Sequence, residues 1–406
     1  MTSTTAPAAP AIPAPSAPAH SSKPSYEPSS EPSSEPSSKP KQVTMSGAIN
    51  RALRDAMTAD GDVVVFGEDV GTLGGVFRVT DGIARDFGED RCFDTPLAEA
   101  GIVGFAVGMA MAGFRPVIEM QFDAFAYPAF EQIASHVAKM RNRTAGKVNL
   151  PIVIRVPFAG GIGGVEHHCD SSEAYYAHTP GLKVVTPATV EDAYALLREA
   201  INDPDPVIFM EPKRLYWSKG SIPEAGATDV SGVADAKRLS SFGRAAVRRE
   251  GTDVTLVAYG PSLDVAMEAA SAAAESGWSV EVVDLRTIVP FDDETVVASV
   301  RKTGRCVVVQ EAQGFAGVGA EIAARVQERA FHSLHAPVLR VAGLDIPYPP
   351  PKLEHIHLPG VERVLDAIAR LQWDDQPDPK FLVQHANRSR EADGGRDGNR
   401  QDGGAS

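Results

Sequence analysis

DTPLAEAGIVGFAVGMAMAG, residues 94–113, is the stretch from which the rest of the chain is read. Glu99 heads a segment in which no charged side chain appears from Ala100 to Phe114. Gly101, Gly104 and Gly108 recur at helical spacing, so one helix face lets another backbone approach closely. The segment is too short and too glycine-rich to span a bilayer, and it follows the turn-forming pair Thr95-Pro96. The expectation is therefore a tightly packed, buried core or interface helix. A carboxylate buried there is costly unless it is paired, and desolvation raises its pKa toward a range suited to proton exchange with a bound heterocycle. A second reading stays open, in which Glu99 only caps helix N–H groups.

Outward from this helix, helix-period segments alternate with short apolar runs. Residues 46–60 (SGAINRALRDAMTAD) predict a helix and 62–69 (DVVVFGED) a buried strand. Strands are predicted at 115–122, 149–157, 181–187 and 205–212, with helices at 128–143 and 189–202 between them. The same rhythm returns after residue 250, with strands at 253–260, 278–286, 306–312 and 336–343, and helices at 262–276, after Pro290 and at 318–331. Such alternation predicts an α/β protein with a parallel sheet and right-handed crossovers, followed by a smaller second α/β domain. The boundaries read from the sequence are a first domain over 42–213, a linker over 214–249 and a second domain over 250–385. Residues 1–41, rich in Ala, Pro and Ser, and residues 386–406 are expected to be disordered tails.

A length of 406 residues supports two domains with real cores, and a formal net charge of −14 argues against nucleic acid or an acidic membrane surface as partner. The opening has neither the basic start nor the apolar run of a signal peptide, and no segment reads as membrane-spanning. Cys92, Cys169 and Cys306 lie far apart, so no disulfide framework is suggested and a reducing cytoplasm is expected.

Ligands of open α/β sheets bind beyond the carboxyl ends of strands, which places Gly67-Glu68-Asp69, Gln121 to Phe125 and the 157–170 loop around one crevice. FAGGIGGVEHHCDSS, residues 158–172, combines four glycines that let backbone approach a ligand with two adjacent histidines, of which one is expected to face the site. A zinc reading of His167, His168, Cys169 and Asp170 is disfavoured by its compressed spacing. GGIGG and GFAGVG (314–319) are weak phosphate signals, since neither follows a dinucleotide-turn or P-loop pattern. Phe125, Tyr127 and Phe130 offer either a flat face to an aromatic ring or ordinary core packing. His178 reads as a structural histidine.

Five motifs taken in order, residues 94–113, 121–133 (QFDAFAYPAFEQI), 166–187 (EHHCDSSEAYYAHTPGLKVVTP), 205–217 (DPVIFMEPKRLYW) and 281–292 (EVVDLRTIVPFD), carry a resemblance. Over about 42–371 the chain resembles the beta chain of the thiamine-diphosphate-dependent 2-oxo acid dehydrogenases, with the branched-chain type first and the pyruvate type second. The resemblance implies a transketolase-like pyrimidine-binding domain followed by a transketolase C-terminal domain. It also implies that Glu99 hydrogen-bonds the aminopyrimidine ring, that Phe125 stacks on it, and that Gln121 and Glu68 belong to the cofactor side of the crevice. His168 matches the family histidine expected to assist reductive acylation of a lipoyl group. Cys169 and Asp170 depart from the residues that commonly follow it. A potassium ion held mainly by backbone carbonyls would involve Leu150, Ile152, Val153, Ala200, Asp203 and Asp205.

The chain lacks the GDG and later Asn-Asn pattern that holds the magnesium diphosphate in this superfamily. The resemblance therefore implies that an alpha chain supplies the magnesium and diphosphate ligands in an alpha2-beta2 heterotetramer. That assembly would act on a small 2-oxo acid and dock on a lipoyl-bearing acyltransferase core. A non-catalytic subunit of the same fold is the competing class, set against retention of Glu99, Phe125 and His168 together.

Overall fold

The computed structural model describes residues 42–222 and 242–371, so the two expected tails, most of the expected linker and residues 372–385 lie outside the described residues. The strands of the first half are β1 (Gln42–Thr44), β2 (Val63–Gly67), β3 (Cys92–Asp94), β4 (Arg115–Glu119), β5 (Val153–Phe158), β6 (Lys183–Val185), β7 (Val207–Pro212) and β8 (Lys219–Ser221). Those of the second half are β9 (Ala246–Arg249), β10 (Val254–Ala258), β11 (Val280–Asp284), β12 (Thr287–Val289), β13 (Cys306–Gln313) and β14 (Leu339–Gly343). The first sheet has the order β12-β6-β7-β5-β4-β2-β3 and the second β14-β13-β10-β11-β9.

Side chains alternate across the first sheet as the two-residue strand period requires. Val63 and Val65 pack with helix Met45–Ala59 and helix Val190–Asn202, whereas Val64 and Phe66 pack with Ile102, Val103 and Ala106 of helix Glu99–Met111. Both strand residues are buried on their own face, so the strand reads as a continuous apolar run. Side-chain caps start three of the helices: Thr44 accepts from Gly47 N at 3.1 Å, Thr189 from Asp192 N at 3.2 Å and Asp292 from Thr295 N at 3.0 Å.

Four features depart from the sequence reading. The helix expected over 128–143 is broken into a 3₁₀ turn (Ala124–Ala129) that contains Pro128, short α segments and a π turn (Ile133–Val137) in which the bonding shifts by one residue. The first sheet is not wholly parallel: β12, from the second half, pairs antiparallel with β6, Thr287 opposite Val185. Within 214–249 the described ends are themselves paired, β8 with β1 and β9 with β11. A helix at Val361–Arg370, not read from the sequence, covers the second core through Val364, Ala367 and Ile368.

The two halves are locked by buried charge. Asp192 accepts from Arg286 Nη1 at 3.1 Å and also from Arg248, which donates to Asp284 at 2.8 Å. All three cysteines are free and buried. Among the described residues no helix is long and apolar enough to cross a membrane.

Candidate active site

Helix Glu99–Met111 lays Ile102, Val103, Ala106 and Ala110 on the first sheet and leaves Gly101, Gly104, Phe105 and Gly108 exposed. A Cβ built at Gly104 or Gly108 meets nothing within 4 Å, so the close-packing face points out of the chain. The expectation of a buried Glu99 is corrected: Glu99 shares the helix face of Val103, Ala106 and Ala110, but it stands at the first position of the helix and within this chain is half-buried.

The buried acid is its neighbour. Glu68, 3% exposed, follows β2 at a point where Gly67 lies so close to β4 that a Cβ would meet the Glu119 carbonyl oxygen at 2.5 Å. Burial pushes the Glu68 carboxyl up to about 7, reinforced by the negative charges of Glu99 and then Asp69. Its Oε1 atom is buried without a hydrogen-bond partner. Gln121 Nε2 donates to Asp69 Oδ2 at 2.7 Å, which holds the strand end after β4 to the 67–69 turn.

The second group gathers around His168. Its ring meets Phe122 edge-on at 4.4 Å between centroids and Phe125 at 5.3 Å, and its Nδ1 is buried without a partner. His167 is exposed and His168 half-buried, and both reach one cavity, where a single histidine facing the site was expected. Phe125, His167, His168 and Tyr348 line a cavity of about 460 Å³. The loop glycines make room for two neighbouring segments: a Cβ at Gly160 would overlap the Tyr348 hydroxyl of the second half, and one at Gly161 would press on Arg214 in the turn after β7. The glycines at 317 and 319 likewise clear space for the Gln310 amide, not for a phosphate. His178 is exposed at the rim of a separate cavity of about 970 Å³.

Leu150, Ile152 and Val153 lead into β5, buried beside the segment Ala200 to Asp205. The Ile152 carbonyl accepts from Val207 N at 2.9 Å and that of Ala200 from Asp203 N at 3.2 Å. Lys183 Nζ takes the Asp203 carboxylate at 2.6 Å, and Arg141 pairs with Asp205, leaving backbone carbonyls as the donors a cation could use there. Among the described residues no group of three His, Cys, Asp or Glu side chains is placed to hold a metal ion, which counts against the zinc reading of 167–170.

Residues 41–218 match the transketolase pyrimidine-binding domain family and residues 243–364 the transketolase C-terminal domain family. A 3-methyl-2-oxobutanoate dehydrogenase subunit beta from Mycobacterium tuberculosis is 54% identical over 332 residues, 82% of this chain and 92% of that protein. A pyruvate dehydrogenase E1 component subunit beta from Leifsonia xyli is 51% identical over 330 residues, 81% and 95% of the two chains. The chain belongs to the beta subunits of the 2-oxo acid dehydrogenases.

This is a thiamine-diphosphate-dependent family with the transketolase-like fold. A solved structure of a split-gene transketolase, described as an inactive beta4 tetramer, shares that fold with a TM-score of 0.63 at 24% identity, covering 81% of this chain and 98% of the other. Within this beta subunit, the sequence reading missed a buried polar cluster behind the histidine loop. Asp123, Glu173, Lys213 and Glu311 are all nearly inaccessible, and Tyr259 donates to Glu173 at 2.9 Å. Lys213 stands inside the quoted motif at 205–217, but nothing in its spacing distinguishes it from a surface lysine.

Proposed function

We propose that this chain is the beta subunit of the decarboxylating component of a branched-chain 2-oxo acid dehydrogenase complex. It would work in an alpha2-beta2 assembly, in the cytoplasm, on a lipoyl-bearing acyltransferase core. The observation that carries the reading is the acid pair: half-buried Glu99 at the head of its helix, beside buried Glu68 whose carboxyl is pushed up to about 7.

The residues present suit the pyrimidine end of thiamine diphosphate. Glu68 Oε1 and His168 Nδ1 are buried and unpartnered, so this rim has polar groups to offer a bound heterocycle. Glu99 would hold the ring nitrogen, with Phe125 against the ring and Gln121 and Glu68 beside it. When bound, the cofactor supplies the electron sink for loss of carbon dioxide from a 2-oxo acid. Glu68 stays protonated to about pH 7 and so presents a donor next to Glu99. His168, fixed between Phe122 and Phe125, would hold a proton for the sulfur of the incoming lipoyl group. Magnesium would be held mainly by the alpha chain, and potassium by the carbonyls of Leu150, Ile152, Val153, Ala200, Asp203 and Asp205.

A substrate panel on the reconstituted alpha-beta pair tests the branched-chain assignment. Higher kcat/KM for 3-methyl-2-oxobutanoate and 2-oxoisocaproate than for pyruvate is expected. Preference for pyruvate would favour the second reading, a pyruvate dehydrogenase beta subunit, which the 51% identity to the Leifsonia xyli protein supports.

A further inference from the structure

The loop that carries His168 is closed at its base within the first half of the chain. Ala159 N donates to the Asp170 carbonyl at 2.8 Å, and Asp123 accepts from Ser172 N at 2.9 Å. Ala159 turns the chain there with φ at +68°, a left-handed conformation that a non-glycine residue keeps only where its surroundings hold it. Beyond this base the run GGIGG, 160–164, has only the Ile162 side chain with which to fix its path.

The path is set from the second half of the chain. Gly160 N donates to Glu311 of β13, whose carboxylate also meets Arg214 Nη1 at 3.4 Å. Gly161 N donates to Glu354 Oε1 at 2.8 Å, and the Tyr348 hydroxyl donates to the same oxygen at 2.5 Å. One carboxylate atom thus joins the loop backbone to Tyr348. Tyr348 is itself buried, its ring edge-on to that of buried His357 at 5.1 Å between centroids, and the loop runs so close that a Cβ at Gly160 would overlap the hydroxyl. The same tyrosine lines the cavity reached by Phe125, His167 and His168. His168 has no hydrogen bond through Nδ1 and meets Phe122 and Phe125 through its ring, so its placement follows the loop backbone.

We infer that Tyr348 and Glu354 are positioning residues for His168: two hydrogen bonds meeting on one oxygen let the second half of the chain hold the histidine loop in place. The inference rests on the proposed role of His168 in lipoyl acylation. Holding the ring within a fraction of an ångström matters to that step far more than to decarboxylation, which is assigned to the Glu99 side of the crevice.

The test uses the reconstituted alpha-beta complex with Tyr348→Phe, Glu354→Ala, the double variant Tyr348→Phe/Glu354→Ala, and Glu354→Gln. Two quantities are read: acylation of a free lipoyl domain relative to dye-linked decarboxylation, and amide hydrogen exchange of the peptide spanning residues 158–168, followed by mass spectrometry. Tyr348→Phe should lower the acylation-to-decarboxylation ratio by about threefold and Glu354→Ala by about tenfold, with loop exchange raised several-fold in both. The double variant should be no worse than Glu354→Ala alone, because both changes act through the same oxygen. Glu354→Gln, whose amide oxygen can still accept from both donors, should recover most of the ratio. Equal loss of both activities, unchanged loop exchange, additive losses in the double variant, or Glu354→Gln as impaired as Glu354→Ala would overturn the inference. If Glu354→Ala fails to assemble, Tyr348→Phe, which removes one hydroxyl and keeps the packed ring, must assemble and show the lowered ratio for the inference to stand. Failure of the functional reading shows separately, as a wild-type complex that does not acylate lipoyl domains at all.

Discussion

Glu68 and Glu99 share one rim of the crevice but differ in access to solvent, and that difference divides their work. Glu99 is the side chain a bound pyrimidine can reach, so Glu99→Ala in the assembled complex should lower turnover by about 10²-fold or more with the circular dichroism spectrum unchanged. Glu68 carries a pH signature. Its folded value of about 7 lies above the ordinary 4.5, so between these values the folded chain keeps a proton that the unfolded chain has lost. Stability from this group therefore falls as pH rises toward 7. Glu68→Gln should raise the melting temperature relative to the native chain by roughly 1–3 °C at pH 8 and leave it unchanged near pH 4, measured by scanning calorimetry. The sequence displays Glu99 because a lone acid before a long uncharged run is visible in one dimension. Asp123 and Lys213 are not visible that way, since their burial exists only once β7, the histidine loop and β13 have come together.

Helix Glu99–Met111 shows what a sequence pattern does and does not say. Its apolar residues and glycines announce close packing, but they do not say whether the second surface belongs to the same chain. The structure answers with open space beyond Gly104 and Gly108 and with Phe105 and Met111 more than half exposed. Gly104→Leu should therefore leave the isolated chain as stable as before, within about 1 kcal/mol, because nothing in the chain is displaced. The same substitution should prevent formation of the alpha2-beta2 assembly, read by size-exclusion chromatography with light scattering. Long elements were legible in the same way: β2 is a continuous apolar run, and β5, β7, β10 and β13 are mostly apolar, broken by Arg155, Glu211, Thr255 and the Gln310-Glu311 end of β13. Strands of three or four residues, such as β1, β3, β8, β9 and β12, are too short for a period to show, and they are defined by partners far along the chain. The 128–143 segment misled because its apolar spacing persists through the π turn, where the hydrogen bonding does not.

At the scale of the whole molecule, the crevice depends on how the second half is seated on the first. The edge strand β12 enters the first sheet, and buried Asp192 receives both half-buried Arg248 and buried Arg286. Asp192→Ala removes a carboxylate shared by two guanidinium groups, leaving Arg248 on Asp284 and Arg286 on the Arg244 carbonyl, and should cost about 3 kcal/mol in denaturant unfolding monitored by tryptophan fluorescence. The two-part α/β order was legible from the alternation of strands and helices, whereas this charged lock and the strand exchange were not, because each joins residues about a hundred positions apart. Titration of thiamine diphosphate with magnesium into the beta chain alone, the alpha chain alone and their mixture tests the central claim that this chain is half of a cofactor site. Saturable heat in the mixture only, weakened by Glu99→Ala, is the predicted result. Equal affinity of the beta chain alone, or binding by the mixture that is indifferent to Glu99, would contradict it.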